Sequence, residues 1–300
     1  MKKTNEQIRK EVADTIVAAL KQGTSPWQRP WTPEGGDMWP HNCITGHEYK
    51  GINFPYLLGS QAIADFPTAQ WLTFNQARKA GGRVVKGSKA SYVCFAKPLI
   101  VTDRTDPTKK VKIFFLRQTP VFNIAQTEDV KLPKRELPPE PADVVVKSDS
   151  KVVGATKAFM REQGVVFQHK GGRACYDISK DTVTLPKPAS FHTAEGYAAT
   201  AYHETIHWTG HDSRCKRDMS GTFGTADYAF EELVAEIGSA MLCHKQGVSS
   251  EMPQHASYIQ SWIKKLQSDP QYIFKAAKLS EAALNHLLPD TKRNEQGAGS

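Results

Sequence analysis

Three hundred residues, 39% of them hydrophobic, are enough for two ordinary cores, and nothing in the composition suggests overall disorder. The formal charge of +8 is unevenly placed, since residues 1–140 hold 21 Lys/Arg against 13 Asp/Glu while residues 141–300 hold 18 of each. A basic half fits a polyanion, most simply nucleic acid, and on charge alone an anionic membrane surface fits as well. Five widely spaced cysteines without a CxxC pair argue against a disulfide framework, no stretch is apolar for about 18 residues, and the basic start is followed by no apolar run. Together these predict a cytoplasmic protein with reduced thiols, no cleaved signal and no membrane span.

Residues 5–22 have helical periodicity, with Ile8, Val12, Ile16, Val17 and Leu20 on one side and Gly23 placed to stop the helix. Prolines then enforce an extended strap presenting Trp27, Arg29 and Trp31, whose planar groups can stack on unpaired bases unless the indoles are buried as core. Residues 42–53 read as a short hairpin turning at Thr45-Gly46, with Lys50 beyond it, followed by a helix ending at Ala64. Residues 71–79 read as a strand end running into a helix. The glycine-punctuated stretch 81–89 follows; with Arg78, Lys79, Arg83, Lys86 and Lys89 it is a candidate phosphate-contacting surface, against the alternative of a merely solvated basic face. Strands are expected at 92–95, 99–102, 112–116 and 119–122, as a small antiparallel sheet with a polar tip at 103–110.

At residues 132–148 prolines separate charged residues, which predicts a linker between an N-terminal domain (1–131) and a C-terminal domain (149–290), with a disordered tail at 291–300. The C-terminal half reads as a helix at 150–164, two strands within 174–185 turning at 179–181, then a helix capped by Thr193 and ended by Gly210. Further helices are expected at 226–245, 258–267 and 270–288. The fold class is α+β: an N-terminal α+β domain with a small antiparallel sheet, and a mainly helical C-terminal domain.

The chemistry concentrates at His203-Glu204-Thr205-Ile206-His207. Histidines four apart lie on one helix face, so both imidazoles can reach one metal ion, with the intervening glutamate beside its open side: the HExxH pattern of zinc hydrolases. A third ligand is needed. On the 226–245 helix, Glu232 and Glu236 lie together beside an apolar stripe, flanked by small residues that let another helix approach. Glu232 is therefore the expected ligand and Glu236 the carboxylate behind it, able to hold an imidazole N–H, whereas Glu231 is expected to point away. His211 is a competing ligand, but Gly210 precedes it and residue 213 is Ser, so a supporting place near the metal is expected instead. Glu204 is the expected general base for water attacking a peptide carbonyl, and an oxyanion donor would come from Tyr176, Tyr228 or His211. The strand within 176–183 is a candidate for pairing with an extended peptide.

The motifs at 20–31 (LKQGTSPWQRPW), 42–53 (NCITGHEYKGIN), 71–79 (WLTFNQARK), 82–87 (GRVVKG), 203–214 (HETIHWTGHDSR) and 228–236 (YAFEELVAE) occur in one order across most of residues 8–245. In this the chain resembles the plasmid antirestriction proteins of the ArdC type, whose N-terminal module also looks like that of TraC-type conjugative primases. The resemblance implies an N-terminal domain binding single-stranded DNA and a C-terminal zincin-like metallopeptidase domain, in a protein that shields incoming plasmid DNA during conjugation. It implies zinc, with Mn2+ as an alternative, and supports His203, Glu204 and His207, with the third ligand on the 231–236 helix. A basic chain cannot act as an acidic mimic of DNA, so it would cover the strand or cut a protein. Two other readings compete: a DNA-tethered metalloprotease that cleaves a protein partner, and a primase-associated DNA-binding module with an inactive peptidase domain.

Overall fold

In the computed structural model the described residues are 3–23, 25–28, 39–102, 105–106, 108–133, 149–222, 224–248 and 256–289. Arg29, Trp31, most of the expected linker and the expected tail lie outside them. The architecture is α+β in two domains.

The first helix, α1 (Asn5–Leu20), opens with a reciprocal box in which the Thr4 hydroxyl takes the Gln7 N–H and Gln7 returns to the Thr4 N–H. Strand β1 (His41–Asn42) precedes α2 (Asn53–Ala64), β2 (Gln70–Leu72), α3 (Phe74–Lys79) and β3 (Arg83–Val84). Two long strands follow, β4 (Ser91–Thr102) and β5 (Lys110–Asn123), and β6 (Thr127–Glu128) closes back on β3. The main sheet has the order β1-β2-β5-β4. Four short strands were expected where two long ones stand: Pro98 falls in the expected break before residue 99, whereas the other break was expected at Arg117-Gln118 and Pro120 lies inside the expected strand 119–122. Both are tolerated: β4 is an edge strand, and β2 pairs β5 only at Phe122 and Asn123, short of Pro120. Gly82 also has a different use from phosphate approach, since a Cβ there would lie 2.4 Å from the Glu128 carbonyl oxygen of β6.

The C-terminal domain begins with α4 (Asp149–Glu162), followed by β7 (Val166–His169), β8 (Cys175–Asp177) and β9 (Thr182–Leu185) in the order β7-β9-β8. Strand β7, parallel to β9, was not legible: its burial alternates only between exposed and half-buried. Four helices follow, α5 (Ala194–Thr209), α6 (Ala226–Lys245), α7 (Ala256–Ser268) and α8 (Gln271–Leu287). Thr193 caps α5 through the Gly196 N–H, as expected. Helices α5 and α6 cross closely where Gly238 meets Ile206; a Cβ on Gly238 would sit 3.0 Å from Ile206 Cγ2.

One continuous cluster of buried apolar residues runs from Ile8 and Trp27 to Trp262 and Leu287, so the two domains share a core. The rings of Trp27 and Trp262 lie 6.5 Å apart, and Trp262 donates its indole N–H to the Ala229 carbonyl. Lys245 adds a salt bridge to Glu48 at 2.6 Å and covers the ring of Trp39. Among the described residues no helix is long and apolar enough to cross a membrane.

Candidate metal centre

On α5, His203 and His207 stand one turn apart with their Nε2 atoms 3.1 Å from each other. Helix α6 brings Glu232 against both: one carboxylate oxygen lies 3.5 Å from His203 Nε2, the other 3.5 Å from His207 Nε2. His203 and Glu232 are buried, and the His207 side chain is 12% exposed. Donors at about 2.0–2.2 Å from a tetrahedral cation lie roughly 3.3 Å from one another, so the observed spacings fit one metal ion shared by two imidazoles and a carboxylate. Among the described residues these three form the one such group of potential ligands.

The electrostatics agree. Burial alone would keep both imidazoles neutral, yet hydrogen bonds donated to the facing carboxylates outweigh it and raise both histidines above the usual range. Burial likewise opposes ionisation of Glu232, but His203 and His207 hold its carboxyl far below the usual range. A site that gathers positive charge this strongly is one where a cation can replace protons. Glu204 is buried beside the triad; desolvation pushes its carboxyl up against the pull of His203 and His207, and the Tyr176 backbone N–H of edge strand β8 donates to it. A carboxylate of raised pKa next to a metal position suits a general base.

The support behind the triad departs from expectation. Glu231, not Glu236, meets an imidazole: its Oε1 lies 3.1 Å from His207 Nδ1, which donates to it in the tautomer that leaves Nε2 for a metal. Arg217 holds that carboxylate with Nε at 2.9 Å and Nη2 at 2.7 Å, and also donates to the Ile206 carbonyl and the Thr209 hydroxyl at the end of α5. The single-stripe reading of α6 fails because the helix is buried all round from Glu231 to Cys243, so adjacent Glu231 and Glu232 straddle α5. His203 Nδ1 has no hydrogen-bond partner among the described residues, so Glu236 does not hold it. Glu236 is instead a buried carboxyl pushed up to about 7 by desolvation. His211 lies away from the triad, its Nδ1 paired with the Ser213 hydroxyl at 2.8 Å and taking the Ser213 N–H.

A second anchor escaped the sequence reading. Arg214 donates to Asp181 at 2.5 and 3.0 Å and to the Tyr176 hydroxyl at 3.2 Å, and it stacks 3.8 Å over Trp208. It thereby ties the β8–β9 turn to the end of α5. Arg214 ends the 203–214 motif, but nothing in the sequence gives it or Arg217 a partner; only the structure does.

The residues expected to touch DNA scatter. Trp27 is 1% exposed and belongs to the shared core, so it cannot stack on a base. Lys50 lines a cavity between the domains with Trp39, Lys245 and Glu281. Arg83 pairs with Glu128 at 2.5 Å, while Arg78, Lys79, Lys86 and Lys89 are exposed around α3 and the turn after β3.

Residues 6–122 match the family described as the N-terminal domain of anti-restriction factor ArdC, and residues 154–279 match a zincin-like metallopeptidase family. The metal-free crystal structure of the antirestriction protein ArdC from plasmid R388 superposes with a TM-score of 0.74 at 35% identity, over 93% of this chain and 96% of that one. The chain belongs to the ArdC family of antirestriction proteins. An Mn(II)-bound structure of the R388 ArdC matches with a TM-score of 0.73. Two DNA primases TraC of Escherichia coli are 36% and 35% identical, but this chain spans only 28% and 20% of their lengths. Protein y4eC of Sinorhizobium fredii is 31% identical over 96% of its own length. The zincin-like match of this ArdC-family chain contains His203, His207 and Glu232, and therefore a candidate site for a divalent metal.

Proposed function

We propose that this ArdC-family protein covers single-stranded plasmid DNA with its basic N-terminal half and carries a metallopeptidase centre in which His203, His207 and Glu232 hold one divalent cation, zinc or manganese. The observation that carries the peptidase reading is the set of three donors spaced 3.1–3.5 Å apart beside a buried glutamate. The charge of the first 140 residues and the TraC primase relatives support the DNA reading.

A cation bound there would polarise a peptide carbonyl and make its bound water acidic near neutral pH. Glu204 takes the proton of the attacking water and passes it to the leaving amine. An extended peptide pairs with edge strand β8, whose Tyr176 N–H also orients Glu204. For the oxyanion, the Tyr176 hydroxyl and His211 Nδ1 pair with Asp181 and Ser213, neither of them in the triad, whereas the Tyr228 hydroxyl, bonded to Glu232, stands at the triad itself. Tyr228 is therefore assigned that role.

The shared core favours one alternative, a protease tethered to DNA, because it fixes the peptidase centre relative to the DNA-binding half. Glu204→Gln separates the readings. It is expected to lower peptide cleavage by about 10²–10⁴-fold while sparing protection of incoming plasmid DNA in a conjugation assay. Loss of protection would favour the tethered protease, and unchanged cleavage would remove Glu204 from the reaction.

A further inference from the structure

With Trp27 in the core, any surface on which bases stack has to lie elsewhere. The β4–β5 ribbon offers one. Cross-strand register sets Phe95 opposite Arg117, and Phe115 stands two residues before Arg117 on β5, so the three share a face. The opposite face is buried at Cys94 and Leu116, at 6% and 9% exposure, and the shared face is itself covered at its other end, at Val93 and Val121, so the open part is the end that carries the two phenylalanines. On the shared face Phe95 and Phe115 are each 43% exposed, and Arg117 is exposed between them. The solvent side of a half-covered antiparallel sheet ordinarily carries polar residues. Two open phenylalanine rings flanking a guanidinium are instead the chemistry of a stacking platform that accepts any unpaired base, with the arginine available to a phosphate or a base plane.

We propose that this face, carried by Phe95, Phe115 and Arg117, is where single-stranded DNA stacks on the protein. The inference rests on the DNA reading above and supplies its contact surface. The occupant is a nucleic acid rather than an apolar protein surface because the aromatic pair carries an arginine and sits in the half of the chain that holds the whole net charge of +8. Duplex DNA, whose bases are already stacked, does not offer the faces this platform binds.

The test uses the full-length protein with a fluorescent oligothymidylate, by anisotropy over a salt series, and with the same strand carrying 5-iodouracil for photo-crosslinking. Phe95→Ala and Phe115→Ala should each weaken binding roughly 5- to 150-fold, and Phe115→Trp should restore it. Arg117→Gln should lower the slope of log affinity against log salt by about 0.7. Crosslinks should map to peptides containing Phe95 or Phe115. Both residues are 43% exposed, and thermal unfolding checks that the variants remain folded. If wild type binds but the variants bind equally well, or if crosslinks fall on Phe74 and Arg78 of α3, the ribbon is overturned while the DNA reading stands. If wild type fails to bind the strand at low salt, the DNA reading itself fails. A wild-type dimer that Phe115→Ala dissolves would show that a second copy covers the face, which also overturns the proposal.

Discussion

His207 is gripped at both ring nitrogens, with Nε2 facing the Glu232 carboxylate and Nδ1 meeting Glu231, which two Arg217 nitrogens hold in turn. This relay fixes the tautomer that leaves Nε2 for a metal. Glu231→Gln is expected to reduce metal affinity about 10–100-fold in a calorimetric titration. An unchanged affinity for that variant, alongside a loss for Glu236→Gln, would return the supporting role to the residue the sequence suggested. His203 and His207 were legible because their spacing puts both imidazoles on one helix face, and Glu232 because the small residues beside it let another helix approach. Glu231 was not, because separating it from Glu232 requires knowing the angle at which α5 crosses α6.

Among the elements, the turn between β8 and β9 holds the edge strand beside Glu204 through Asp181 and Arg214. Hydrogen bonding from Arg214 holds the Asp181 carboxyl below the usual range against partial burial, which would raise it. A carboxyl depressed in the folded state adds stability above the unfolded carboxylate value near 4 and loses it as pH falls through the folded value. Asp181→Asn should therefore be less stable than wild type at neutral pH, and the gap should close as pH falls below about 4, measured by urea unfolding. A gap that stays constant through that window would show that the pair does not couple to folding. Helices α1, α5, α6 and α8 were readable from apolar periodicity and caps such as Thr193. The ribbon was misread as four strands because Pro98 resembles a break, tolerated only through strand neighbours that the sequence does not state, and because the polar pair Arg117-Gln118 was read as a second break. β7 offered no apolar alternation to read.

For the molecule as a whole, the length and the proline-punctuated stretch at 132–148 suggested two independent halves, yet Trp27 of the first packs on Trp262 of the second. Apolar residues announce burial without naming the partner that buries them, which is why the shared core was hidden. Trp27→Ala should cost about 3–5 kcal/mol and lower one unfolding transition common to near-ultraviolet circular dichroism and far-ultraviolet signals. Two separate transitions in wild type would contradict the shared core. The zincin-like centre is the account's central claim, and metal titration of the full-length protein by calorimetry tests it most directly. One divalent ion should bind per chain in wild type and in Glu204→Gln, and binding should be lost in His203→Ala and in Glu232→Ala. Wild-type affinity in Glu232→Ala would contradict the account.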